Sequence, residues 1–316
     1  MPAYQPNPYP EIAQGCPRAR KIRLRPGRVP RQHAPYAPHG GAQVSARLRG
    51  IARETEAVVE AGRYRNAAGQ DVSIERAVAA ARSGTRLYGP DPVPVAALDT
   101  DRTPHIEVTA ESSLAAARRM TGEAPGRVAV LNYASARNPG GGYLNGAQAQ
   151  EEALCRGSAL HTTLLRAPDY YAHHRAERSA FYTDRVIHSP AVPVFRDDRG
   201  DFLDAPYPAG FLTSPAPNAG VIRRRTPEDA HRIPAALASR AERVLEVAAV
   251  RGYRRLVLGA WGCGVFQNDP GSVAEAFRAL IGEGGRFGGH FEQIVFGILD
   301  RNPDSAVRAA FTRTFA

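Results

Sequence analysis

Two glutamates, Glu151 and Glu152, stand side by side shortly after three consecutive glycines, Gly140, Gly141 and Gly142. All five lie in LNYASARNPGGGYLNGAQAQEEALCRGSAL, residues 131–160. Glycine permits a tight turn and removes side chains, so a ligand can lie against backbone N–H groups. A helix beginning there adds partial positive charge toward a phosphate, and acidic residues in its first turn complement the same dipole. Neighbouring helical positions are about 100° apart, so the two carboxylates cannot point alike. One can face the chemistry while the other fixes a hydroxyl. A carboxyl held between an apolar wall and a bound diphosphate has its pKa raised, which suits a general acid. Sugar-nucleotide or glycosidic chemistry fits this pattern, although the pattern alone does not establish it.

A second loop, GAWGCGVFQNDP at residues 259–270, repeats the arrangement of an apolar strand, a Gly-x-Gly turn and a helix. Ligands of open α/β sheets sit beyond the carboxyl ends of strands, where two such loops can pinch a diphosphate between them. Neither loop is a P-loop, because the only lysine, Lys21, lies near the N-terminus, and neither supplies a full G-x-G-x-x-G. Taken singly, each could be no more than a tight connection.

Other reactive side chains read as structural. Cys155 follows Glu152 by three positions with no oriented histidine in view, which describes a buried helical cysteine. Cys263 is small enough to permit close packing inside the second loop, and Trp261 packs beside it. His173 and His174 follow Tyr170 and Tyr171, but no metal-ligand spacing accompanies them. Arg223, Arg224 and Arg225 read as a solvated face, with a polyanion track as the sharper alternative.

The elements that must position these residues follow from hydrophobic periodicity. An amphipathic helix is expected from Ala46, short polar–apolar segments over 65–74, and helices near 75–83 and 112–120. HIEVT is a strand, and RVAVLNYAS contains the clearest one. Further strands are expected over 185–195, over 254–260 and in FEQIVFGIL, with helices over 227–250, 269–281 and 305–315. Continuous apolar strands alternating with helices imply a mainly parallel or mixed sheet covered on both faces.

The chain has 316 residues, a formal net charge of +10 and 43% hydrophobic residues, as expected of a folded, water-soluble protein. Three scattered cysteines exclude a disulfide framework, and no long apolar run suggests a membrane span or a signal-peptide core. A cytoplasmic protein without membrane association is therefore expected. The charge is concentrated in a Pro/Arg-rich segment, residues 1–45, read as an extended, flexible arm preceding a single domain over 46–316. The arm is either a solubilising extension or a nonspecific contact for nucleic acid or another polyanion.

NPGGGYLNGAQAQEE, residues 138–152, resembles the signature of bacterial-type poly(ADP-ribose) glycohydrolases: a triple glycine, a short spacer, then Gln-Glu-Glu. LGAWGCGVFQNDP resembles that family's second loop, and the likeness extends from the RGIARET helix to the last FGILD strand. The resemblance implies a macrodomain fold, a three-layer α/β/α sandwich with a mixed central sheet, binding ADP-ribose at the strand ends. It implies hydrolysis of ribose–ribose bonds in poly(ADP-ribose), mainly from the chain end, releasing ADP-ribose and leaving the last protein-linked unit. It implies neither metal nor cofactor. Carried over by residue, Glu152 would protonate the leaving oxygen, Glu151 would hold ribose hydroxyls and Gln150 would order the acidic pair. Asn138 would contact the distal ribose, with Gly140, Gly141 and Gly142 running beside that ribose and the diphosphate. Gly262, Gly264 and Val265 would bind the diphosphate, and Phe266 would orient the terminal ribose. The competing readings are a noncatalytic ADP-ribose reader and a hydrolase of mono-ADP-ribosyl linkages on protein or nucleic acid. Two adjacent carboxylates, which binding an anion does not require, count against the first.

Overall fold

The computed structural model describes residues 39–96, 103–124, 126–300, 302 and 304–316. Most of the expected basic arm, including Lys21 and Cys16, lies outside the described residues. In chain order the first half contains α1 (His39–Ala61), β1 (Arg63–Arg65), β2 (Asp71–Ser73), α2 (Glu75–Gly84), β3 (Arg86–Tyr88), β4 (His105–Thr109) and α3 (Ser113–Glu123). It continues through β5 (Val128–Tyr133), α4 (Gln150–Gly157), α5 (Leu160–Leu164) and α6 (Pro168–Ala176). The second half contains β6 (Val186–Arg196), β7 (Phe202–Ser214), α7 (Ala219–Arg225), α8 (Ile233–Val250), β8 (Arg255–Leu258), α9 (Pro270–Ile281), β9 (Gln293–Gly297) and α10 (Ala306–Phe315).

A seven-stranded sheet runs in the order β3-β6-β7-β5-β8-β9-β4. β7, β5, β8, β9 and β4 are mutually parallel, while β3–β6 and β6–β7 are antiparallel. The sheet is therefore mixed. Side chains alternate between two cores with the period of a strand. Val130, Val257 and Val295 join one core with residues of α1 through α6. Leu131, Leu256, Leu258, Ile294 and Phe296 join the other with residues of α7 through α10. Helices thus cover both faces of the sheet, the three-layer macrodomain-like arrangement.

Helix starts coincide with side chains able to satisfy unpaired N–H groups. Ser112 caps α3 by accepting from Ala115 N at 3.0 Å, Asp269 caps α9 through Ser272 N at 2.7 Å, and Ser305 caps α10 through Arg308 N at 3.1 Å. Two expected boundaries move. The helix expected from Ala46 begins at His39. The helix expected over 227–250 is a short 3-10 turn at Pro227–Arg232 followed by α8. Pro234 has no N–H to give to the preceding turn, so it serves as a helix start and not an interior residue. β7, the longest strand, was not expected at all. Among the described residues no helix is long and apolar enough to cross a membrane.

Candidate active site

The parallel strands β5, β8 and β9 release their chains at one end of the sheet, and a cleft of about 610 Å³ opens there. That volume lies in the range of small-molecule sites. Asn138, Gln150, Glu151 and Glu152 line it from the segment after β5. Gly262, Gly264, Val265 and Phe266 line it from the segment after β8. Residues more than a hundred positions apart in sequence therefore share one cleft.

Glu151 is buried in a nest of donors. Asn132, a polar residue inside the apolar strand β5, donates from Nδ2 to Glu151 Oε1 at 3.1 Å and to Thr213 Oγ1 at 3.1 Å. Ser135 N–H donates to Glu151 Oε2 at 2.7 Å, and Gly140 N–H adds a further contact. Burial nevertheless dominates: it pushes the Glu151 carboxyl up to about 8, and the charge of Glu152 acts in the same direction. Glu152 accepts Gly142 N–H on Oε1 at 2.8 Å. Its Oε2 is buried and has no protein partner.

The two carboxylates converge behind Gly141. A Cβ at Gly141 would sit 2.5 Å from Glu152 Oε1 and 3.1 Å from Glu151 Oε2, and the residue has φ of +58°. Only glycine meets both conditions. Within the triple glycine, Gly140 and Gly142 N–H donate to Glu151 and Glu152, while Gly141 N–H donates to Asn138 O at 2.9 Å. From behind, Tyr143 OH lies 3.1 Å from two acceptors, Ala52 O and Glu56 Oε1, and His161 Nδ1 lies 3.1 Å from the same Glu56 carboxylate. The turn is thereby tied to α1.

Gln150 joins α4 to the open end of β5. Its Oε1 accepts Tyr133 N–H at 3.0 Å, while Nε2 donates to Leu131 O at 2.8 Å and Ser113 Oγ at 3.0 Å. These bonds satisfy strand groups that have lost their neighbour and fix where α4 starts.

The second loop turns tightly at Gly262, whose φ is +72° and whose Cβ would collide with Ala216 and Asn268. Asn268 Nδ2 donates to Pro217 O at 2.8 Å, and the buried Trp261 donates from Nε1 to Ser214 O at 3.1 Å. Trp261 is thus a packing residue with an edge on the cleft. Val265 is 82% exposed at the tip, and Phe266 lies 5.9 Å from the ring of Tyr182. Both cysteines are unsuited to nucleophilic work. Burial raises the Cys155 thiol well above its ordinary value and pushes Cys263 up to about 12. Among the described residues no group of three or more His, Cys, Asp or Glu is placed to hold a metal ion.

Several lining or supporting residues were not singled out from the sequence. A polar residue inside an apolar strand could have marked Asn132. The rule that ligands sit at strand ends could have marked Ile298 and Leu299 after β9, which line the cleft with Ser112 and Asp198. Nothing in the sequence marks Tyr182, which reaches the cleft from the connection between α6 and β6 with φ of +58°.

Comparison with known structures decides the family. Poly(ADP-ribose) glycohydrolase from Thermomonospora curvata is 49% identical, with 85% of this chain and 100% of that chain covered and a TM-score of 0.82. The chain belongs to the bacterial-type poly(ADP-ribose) glycohydrolases. The catalytic-domain family "Microbial-type PARG, catalytic domain" matches residues 52–197. That span includes the first loop and the acidic pair and ends before the second loop. The Thermomonospora curvata glycohydrolase bound to the inhibitor ADP-HPD is 48% identical over 85% of this chain and 99% of that one, with a TM-score of 0.78. The Deinococcus radiodurans glycohydrolase in complex with ADP-ribose is 45% identical over 75% of this chain and 96% of that one, with a TM-score of 0.67. The comparison with curated protein sequences gave no match.

Proposed function

We propose that this protein hydrolyses the ribose–ribose O-glycosidic bonds of poly(ADP-ribose), mainly from the chain end, releasing ADP-ribose with Glu152 as general acid and base. The observation that carries the assignment of roles is the hydrogen bonding of the acidic pair. Both oxygens of Glu151 and Oε1 of Glu152 each accept an N–H donor, so the fold holds Glu151 by both oxygens and Glu152 by one. Glu152 Oε2 faces none. Glu152 is therefore the carboxyl with an oxygen that the protein leaves without a partner, the one a substrate oxygen can engage.

The reaction follows from that placement. Glu152 Oε2–H donates its proton to the glycosidic oxygen as the C1–O bond breaks, and the departing ribose leaves as an alcohol. The remaining ribose develops oxocarbenium character, which the adjacent carboxylates stabilise. Water adds to C1, its proton passes to the Glu152 carboxylate, and the acid form is restored. Glu151, held by Asn132 and Ser135, fixes ribose hydroxyls, and Asn138 holds the distal ribose from the cleft wall. Gly262, Gly264 and Val265 receive the diphosphate, and Phe266 orients the terminal ribose. The relatives solved with ADP-HPD and ADP-ribose support a ligand of this class in the cleft.

The test is product analysis on two substrates, polymer-modified protein and protein bearing a single ADP-ribose. Free ADP-ribose from the polymer, with one unit left on the protein, is the expected result. Removal of the single unit with an intact polymer would overturn the reading in favour of mono-ADP-ribosyl hydrolysis.

A further inference from the structure

A ribose–ribose bond joins two ADP-ribose units, and the cleft holds the one whose C1 reacts. The other is the leaving group. It carries its own diphosphate and begins at the oxygen that Glu152 Oε2 protonates. The diphosphate of the reacting unit belongs to the loop after β8, which stands on one side of β5 in the sheet order. A chain leaving away from that diphosphate runs to the opposite side of β5, where β7 and β6 follow in the sheet order.

Two arginines stand at the cleft wall, one on the segment after β5 and one on α6. Arg137, exposed on the cleft wall, immediately precedes Asn138. Arg175, exposed on α6, donates from Nη1 to the Arg137 carbonyl at 2.8 Å, which holds the two residues together. The connection after α6 reaches the cleft edge through Tyr182, whose ring lies 5.9 Å from His174 on α6 and 5.9 Å from Phe266. Arg119, Arg196 and Arg240 each pair with a carboxylate. Among the described residues Arg137 and Arg175 have no carboxylate partner. Two uncompensated guanidinium groups beside the exit from a cleft are suited to a diphosphate, which carries one negative charge on each phosphate.

We propose that Arg137 and Arg175 form a subsite for the diphosphate of the departing ADP-ribose unit. The inference rests on the hydrolase reading above. It gives the enzyme a contact that only a polymeric substrate makes: a single ADP-ribose on a protein has no second diphosphate to offer, and free ADP-ribose in the cleft does not reach the subsite. The two arginines therefore favour polymer over the last protein-linked unit.

The test compares wild type, Arg137→Ala, Arg175→Ala and a distant control, Arg82→Ala on α2, on two substrates. One is poly(ADP-ribose), and the other is ADP-ribose carrying an uncharged phenolic leaving group. Each subsite variant is expected to raise KM for polymer about fivefold to tenfold, an effect that shrinks as salt is raised. KM and kcat for the phenolic substrate stay at the wild-type values, and Arg82→Ala matches wild type on both. An equal loss on both substrates would place the arginines on the reacting unit and overturn the subsite. An unchanged KM for polymer would overturn it as well. Wild-type protein that cleaves the phenolic substrate but not the polymer would overturn the polymer-hydrolase reading, and the subsite with it.

Discussion

Four carboxylate oxygens at Glu151 and Glu152 receive N–H donors on three and none on the fourth, and that asymmetry divides the roles of two chemically identical side chains. The proton matters as much as the oxygen. Burial pushes Glu151 up to about 8, so its carboxyl stays protonated through neutrality and ionises above that. Ionisation places a negative charge beside Glu152 and changes how the ribose hydroxyls are held, so turnover on polymer should fall as pH rises past about 8, read from kcat between pH 6 and 9.5. A profile still flat at the upper end would contradict the account. Gly141 is the second residue-scale dependence. Gly141→Ala forces a Cβ to within 2.5 Å of Glu152 Oε1 at a left-handed φ. It should cost about 1–3 kcal/mol of stability and about 100-fold in kcat. Denaturant melts and steady-state kinetics on the same preparation check both. The glycines and the Gln-Glu-Glu run were legible in the sequence as residues. Their working relation was not, because it depends on where backbone N–H groups point once the turn has closed.

At the scale of elements, the site depends on how α4 is fastened to β5. Gln150 makes three hydrogen bonds across that joint. Gln150→Ala strips partners from Tyr133 N–H and Leu131 O and should destabilise the protein by about 1–3 kcal/mol. Loosening of the acidic pair should lower kcat more than it raises KM, and an unchanged kcat would show that α4 holds its place without the joint. The strands flanking the site, β5, β8 and β9, were readable because each is a short, continuous apolar run buried on both faces. β7 was not. Its sequence FLDAPYPAGFLTS contains Pro206, Pro208 and Gly210, which argue against a strand. The structure tolerates them because its outer half pairs with β6 through a register shift, while residues 209–214 carry the buried part. Tyr182 was missed for a related reason: its place in the cleft follows from a positive φ in a connection without periodicity.

For the whole molecule, buried ionisable groups set a pH window. His174 and His188 are both buried and lowered to about 4, desolvation being the main cause. A depressed folded-state pKa contributes stability that is present above the unfolded value of 6.5 and lost as pH falls toward about 4. Glu151 has the opposite sign: raised from 4.5 to about 8, its contribution is present at low pH and lost as pH rises through about 8. From these three groups stability should therefore be greatest near pH 6.5 and fall on both sides, toward pH 8 as Glu151 ionises and further toward pH 4, where two histidines outweigh it. Thermal unfolding from pH 4 to 9 checks this, and His188→Gln should reduce the acid-side slope. The three-layer architecture behind these burials was legible because alternation of strands and helices is a property of the pattern as a whole. The two buried histidines were not, because desolvation is a property of the closed fold.

The most direct test of the central claim compares Glu152→Gln with wild type for ADP-ribose binding by calorimetry and for ADP-ribose release from polymer by mass. The substitution keeps the shape of the side chain and removes the transferable proton. Affinity is expected to stay close to wild type, with a loss of about 100- to 10,000-fold in kcat. Release of ADP-ribose by Glu152→Gln at near the wild-type rate would contradict the claim and move the acid–base role to another group in the cleft.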